Sequence, residues 1–220
     1  MSSLINNMKI LFYGDSITDM GRARPGEECC CKQYGMGYPH FIMGDLKYED
    51  PTKYDAVNTG ISGNRVVDLY QRVKVDCWNH NPDVLSILIG VNDVWHELID
   101  NYNNGVDIKR YEKVYRMLIE DTLKKLPNVK IMILEPFIEK GTATEAKWES
   151  FLEVKEYAKV AKKIAEDYNL IFVPLQSVID EAVEKYGVFH VLYDGVHPNV
   201  CGAKIIAKEW IKSFKENIKC

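Results

Sequence analysis

Ser16 stands in Gly14-Asp15-Ser16-Ile17-Thr18, directly behind a short apolar run, and His197 stands near the other end of the chain in Asp194-Gly195-Val196-His197-Pro198. A serine hydroxyl attacks a carbonyl only if a base takes its proton, and an imidazole, with an ordinary pKa of about 6.5, suits that task at neutral pH. One ring nitrogen must face the serine, so the other N–H needs an acceptor. Asp194 can reach it from the same turn, and Pro198 stiffens the approach to whatever follows.

Two intervening segments supply what such an attack further requires. They are Asn58-Thr59-Gly60-Ile61-Ser62-Gly63-Asn64 and Gly90-Val91-Asn92-Asp93. The tetrahedral intermediate of acyl transfer carries an oxyanion that needs donors fixed in place before reaction. The backbone N–H groups of Ser16 and Gly63 and the side-chain amide of Asn92 are the candidates. Loss of Asn92 is therefore expected to hurt turnover more than binding.

Taken singly, each segment has a plainer explanation. Gly-Asp-Ser after a strand is a common turn with a helix cap, and Asn92-Asp93 could bond their own backbone. Gly60 and Gly63 could serve positive φ alone, and Asp194 with His197 could be a surface pair or half of a metal site. Common placement is what separates catalysis from these alternatives, and it depends on the surrounding elements.

Apolar runs at 9–13, 55–58, 84–89, 130–134 and 170–173 are too short for helices and rich in Ile and Val, the pattern of buried strands. Helical spacing fills 65–77, 108–125 and 145–168, with Tyr111, Val114, Tyr115, Leu118 and Leu126 marking one apolar stripe, and a last helix is expected over 200–214. Alternation of this kind predicts an α/β fold: a three-layer αβα sandwich around a five-stranded parallel sheet in flavodoxin-like order. Ligands of such sheets bind outside the carboxyl ends of the strands. All four segments fall there: Ser16 after the first strand, Gly63 after the second, Asn92 after the third, His197 before the last helix. The long irregular stretch 22–37 is expected to form part of the pocket rim.

A chain of 220 residues with 46% apolar content fits one domain spanning 1–220. A net charge of −4 gives no field for nucleic acid or an anionic membrane. The polar N-terminus does not resemble a secretory signal, and no apolar run approaches the roughly 18 residues that span a bilayer, so the cytoplasm is the expected location. In that setting the cysteines, including the run Cys29-Cys30-Cys31, are expected as free thiols. No cofactor or metal is expected: His190, Asp194, His197 and Cys201 match no familiar ligand spacing. The Gly-x-Ser-x-Gly elbow of ordinary α/β-hydrolases is absent.

Gly-Asp-Ser-Ile-Thr, Gly63, Gly-Val-Asn-Asp and Asp-x-x-His resemble the four blocks of the SGNH, or GDSL, hydrolase superfamily, and the likeness spans nearly the whole chain. It implies the three-layer fold, Ser16 as nucleophile and oxyanion donor, Gly63 and Asn92 as the other donors, and Asp194 with His197 completing a triad. The longer strings from Asp15 to Pro25, Gly-Ile-Ser-Gly-Asn at Gly60 and Asn-Asp-Val-Trp at Asn92 are similar to intracellular bacterial acetylxylan esterases of this type. That resemblance implies deacetylation of xylo-oligosaccharides and assembly into homo-oligomers. Tyr193 departs from it, because a tryptophan is expected before the acid.

A small sugar-bearing ester also suits the rim residues. Trp95, Tyr193 and Tyr38 could pack on the C–H face of a pyranose while Arg22, Arg24 and Glu27 meet its hydroxyls, and Asp15 and Asn64 join Arg22, Trp95 and Tyr193 as candidate substrate contacts. His96, next to Trp95, is a further candidate. The competing expectation is a lysophospholipase- or thioesterase-type acylhydrolase acting on longer acyl chains.

Overall fold

The computed structural model describes residues 7–24, 26–27 and 32–218. Five parallel strands, β1 (Met8–Gly14), β2 (Tyr54–Asn58), β3 (Val84–Leu88), β4 (Lys130–Leu134) and β5 (Ile171–Val173), form one sheet in the order β2-β1-β3-β4-β5. That is the expected flavodoxin-like order, and the expected strands lie within a residue or two of those observed. Every residue of β3 and all but the first of β4 are buried, as a strand covered on both faces requires.

The helices are α1 (Ser16–Asp19), α2 (Tyr38–Glu49), α3 (Val66–Asp76), α4 (Val91–Leu98), α5 (Ile108–Lys125), α6 (Trp148–Phe151), α7 (Val154–Asp167), α8 (Gln176–Tyr186) and α9 (Val200–Asn217). Right-handed crossovers decide their sides. The step from β1 to β2 runs opposite to the later steps, so α2 lies on one face, where it packs with α9, while α3, α5 and α7 cover the other. On the first face Trp210 of α9 donates its indole N–H to Ser86 Oγ of β3 at 2.9 Å and stacks on Phe214 at 5.0 Å. These contacts seat the last helix on the middle of the sheet.

The reversal in strand order falls between β1 and β3. Their following loops therefore diverge and leave a crevice at the carboxyl edge, with Ser16 leaving β1 and Asn92 following β3.

The expected helix over 145–168 is interrupted. A 3₁₀ turn at Glu145–Lys147 leads into α6, and α7 starts separately. Around the joint the bonds Glu153 N–H to Ser150 O and Lys155 N–H to Leu152 O tighten the chain. The reason is packing: Phe151 meets Trp95 edge-on at 5.7 Å, which ties α6 to α4 before α7 turns back to the sheet. The extent of α2, and helices α4 and α8, were not expected.

Cys77 and Cys201 are free thiols. The Cys29 to Cys31 run lies outside the described residues, as does part of the irregular stretch 22–37. Among the described residues no helix is long and apolar enough to cross a membrane.

Candidate active site

Asp15 shapes the turn from β1 into α1. It is the N-cap, and its Oδ1 accepts the N–H of Ile17 at 2.9 Å, which leaves Ser16 as the first residue of the short helix with its hydroxyl facing outward. Ser16 Oγ lies 2.9 Å from His197 Nε2. The structure thus joins two side chains from opposite ends of the sequence.

The turn carrying His197 is built around Asp194. Its Oδ1 accepts the backbone N–H groups of Val196 at 2.9 Å and His197 at 2.8 Å, while Oδ2 lies 2.8 Å from His197 Nδ1. Gly195 has φ +100°, and a Cβ there would fall 2.5 Å from Glu139 O, so the turn has room only for glycine. Neighbouring strands of loop hold it further, through Glu139 N–H to Gly195 O and Ala143 N–H to Asp194 O.

The electrostatics favour a charged acid beside a basic imidazole. The hydrogen bond to Asp194 is the largest influence on His197 and lifts its pKa above the ordinary value, against partial burial. Burial works to raise Asp194, but the bonds from the His197 ring and from the backbone of His197 and Val196 outweigh it and hold the carboxyl below its usual range. Nε2 is therefore the nitrogen left to accept a proton from Ser16.

Gly63 and Asn92 close the other side. Gly63 has φ +82°, in the left-handed region that favours glycine. Among the described residues, neither that N–H nor the N–H of Ser16 has an acceptor. Asn92 is buried on α4 and donates through Nδ2 to the carbonyl of Asn64 at 3.1 Å. One of its two amide hydrogens is thereby engaged and the other is left available.

The rim residues separate into different groups. Trp95 lies against His197 with ring centroids 5.9 Å apart, and Tyr193 is 59% exposed while its backbone N–H bonds His197 O. Arg22 donates to Gly60 O at 2.7 Å, and Arg24 pairs with Asp19 at 2.6 Å, so both arginines brace the edge of the crevice. His96 stands beside Gly63, whose added Cβ would meet its ring at 3.9 Å, and it is edge-on to Tyr102. Burial, then Arg65, hold its pKa below the ordinary value.

Two expected substrate contacts, Asp15 and Tyr38, are corrected, and a third, Asn64, is partly engaged by the scaffold. Asp15 is fully buried and caps α1, out of reach of a bound sugar. Tyr38 is fully buried too, with its hydroxyl 3.0 Å from Thr18 Oγ1 and its ring against Phe12. Asn64 turns its side chain to Arg72, at 2.7 Å from Nε, and uses its carbonyl for Asn92. In each case residue type and position suggested the pocket, whereas packing engages at least one polar atom of the side chain in the scaffold.

Two residues of this region have partners that the sequence did not show. Asp93 is buried and accepts Val66 N–H at 3.0 Å, which ties α4 to the start of α3. Arg72 of α3 bonds two of the segments above. Its signal was an arginine on the same stripe as Val66, Leu69 and Val73, the buried positions of that helix.

Residues 12–205 match the model of the GDSL-like Lipase/Acylhydrolase family. The chain is 36% identical over 217 residues to an acetylxylan esterase of Geobacillus stearothermophilus, with 93% of this chain and 96% of that protein covered. A crystal structure of an acetylxylan esterase from the same organism superposes with a TM-score of 0.83 at 34% identity, over 98% of this chain and 97% of that one. A structure from Parabacteroides merdae described as a GDSL-like lipase gives a TM-score of 0.87 at 40% identity, over 96% and 98% of the two chains.

Proposed function

The chain belongs to the GDSL-like lipase/acylhydrolase family and is a carboxylic ester hydrolase, and from that premise we propose that it deacetylates xylo-oligosaccharides or related sugars through Ser16, His197 and Asp194. Ser16 Oγ adds to the ester carbonyl as its proton passes to His197 Nε2. Asp194 keeps the Nδ1 proton in place and stabilises the imidazolium that forms. The N–H groups of Ser16 and Gly63 and the amide of Asn92 receive the oxyanion. Collapse expels the sugar oxygen, which takes the proton back from Nε2. Water, activated by the same ring, then releases acetate from the acyl-enzyme and restores Ser16.

The observation that carries this reading is the unbroken line from Ser16 Oγ through both ring nitrogens to Asp194, with 2.9 Å and 2.8 Å contacts. The preference for a sugar acetate rests on the acetylxylan esterase relatives and on a rim where Trp95 and the exposed Tyr193 offer flat apolar faces beside His197.

The test is acetate release from acetylated xylo-oligosaccharides, run beside aryl esters from acetyl to lauroyl, with Ser16→Ala as the blank. Rapid release from the sugar, aryl rates that collapse beyond short acyl groups and an inert Ser16→Ala are expected. Preference for long acyl chains with no action on the sugar would instead make this a lysophospholipase- or thioesterase-type acylhydrolase. Turnover by Ser16→Ala would overturn the nucleophile itself.

A further inference from the structure

Arg72 belongs to none of the segments that carry the chemistry, yet it bonds to two of them. Its side chain is 14% exposed. Nε donates to Asn64 Oδ1 at 2.7 Å, one terminal nitrogen donates to Thr59 O at 2.7 Å and Asp76 Oδ2 at 2.8 Å, and the other donates to Gly14 O at 3.1 Å. The guanidinium lies over the ring of Tyr13, 4.4 Å from its centroid. Tyr13 is fixed in turn by its hydroxyl, which donates to Leu69 O at 2.5 Å.

These acceptors share a property. Gly14 ends β1 two residues before Ser16, and Thr59 and Asn64 bracket the loop that bears Gly63. Asn64 also accepts from Asn92 Nδ2 through its carbonyl. One planar cation therefore joins the backbone leading to Ser16, both sides of the Gly63 loop and, through Asn64, the amide of Asn92.

We propose that Arg72 is a positioning residue for the oxyanion site: it sets where the Gly63 and Asn92 donors stand relative to Ser16 without touching substrate. This rests on the oxyanion assignment given above. A guanidinium suits the role because its five N–H donors sit in a rigid fork, whereas an ammonium is a point charge on a flexible stem that could satisfy one or two of these acceptors. Donors of an oxyanion act by being fixed before reaction, and misplacement by about 1 Å can cost on the order of a hundredfold in rate.

The test is a mutant cycle of Arg72→Met, Asn92→Ala and the double variant, scored by kcat and KM on 4-nitrophenyl acetate, with circular dichroism and Tm to establish folding. Arg72→Met is expected to lose about 10- to 100-fold in kcat with KM changed little, and its kcat/KM profile should keep the wild-type base pKa. Arg72→Lys should recover part of the loss. The double variant should be less impaired than the product of the two single losses, because Arg72→Met already misplaces the donor that Asn92→Ala removes. If Arg72→Met does not fold, Asn64→Ala takes its place in the cycle, since it cuts the Nε link and leaves the other bonds of Arg72 standing, and the same non-multiplying pattern is expected. Losses that multiply in full, a loss confined to KM, or a drop in Tm with kcat intact would each overturn the role of Arg72 while the oxyanion assignment stands. Full turnover by Asn92→Ala would defeat that assignment, and the proposal for Arg72 with it.

Discussion

Asp194 holds His197 twice, accepting its backbone N–H at Oδ1 and facing its ring nitrogen Nδ1 from Oδ2, both at 2.8 Å. The two grips have different consequences. The first fixes the turn, and the second fixes the tautomer. Asp194→Asn can keep the first, because the amide oxygen still accepts from the backbone, but its NH₂ faces Nδ1 and forces the proton onto Nε2. A ring protonated at Nε2 cannot take the proton of Ser16. The expected result is a fall in kcat on the order of 10⁴ with Tm close to wild type. Asp194→Ala loses both grips and should be equally inactive and less stable. Activity within tenfold of wild type in Asp194→Asn would mean that Asp194 does not set the tautomer.

The same pair fixes the direction of the pH dependence. Only neutral His197 can act as base, so the rate must fall as pH drops through its pKa. The bond to Asp194 lifts that pKa above the ordinary value of about 6.5, burial opposing in part. The rising limb of kcat/KM, which reports the free enzyme, should therefore have its midpoint above 6.5. Asp194→Asn, where activity is measurable, should move the midpoint down. A profile flat from about pH 5 to 8, with chemistry rate-limiting, would count against an imidazole base.

Sheet order and the meeting of Ser16, His197 and Asp194 were legible because each depends on strong, local signals: short Ile- and Val-rich runs, and residues at strand ends that converge once the sheet is parallel. The rim was not legible. Asp15 and Asn64 stand next to the site in sequence and Tyr38 was an aromatic candidate for its rim, yet Asp15 Oδ1 bonds Ile17, Asn64 Oδ1 bonds Arg72 and the Tyr38 hydroxyl bonds Thr18. Which of two neighbours a short polar side chain bonds is settled by tertiary packing, which leaves no period in the sequence. Arg72 shows the converse: a charge on the buried stripe of α3 was visible as a pattern, but two of its four acceptors are backbone carbonyls of distant segments, which sequence does not display. Helix α4 went unseen for another reason. At eight residues it is too short to establish a periodicity.

The carboxyl of Asp15 has a consequence for stability. It is fully buried, its Oδ1 accepts from Ile17, and its Oδ2 has no partner among the described residues. Burial pushes its pKa up to about 7, with the Ile17 N–H and nearby His197 pulling the other way. An unfolded chain titrates aspartate at about 3.9. Between those values the folded protein holds a proton that the unfolded chain has released, so the unfolded state binds fewer protons and stability falls as pH rises through the window. The full effect is on the order of a few kcal/mol, or several degrees in Tm for a chain of this size. Asp15→Asn keeps an acceptor for Ile17 and has nothing to ionise. Thermal unfolding of both proteins from about pH 4 to 8 should show Tm declining more steeply in wild type than in the variant, whatever their offset at any one pH. Asp93 still titrates in both proteins, since burial raises its carboxyl as well, so the variant's slope should shrink without vanishing. Parallel slopes would mean that Asp15 ionises inside the fold at no cost, and that its unpartnered oxygen is solvated after all.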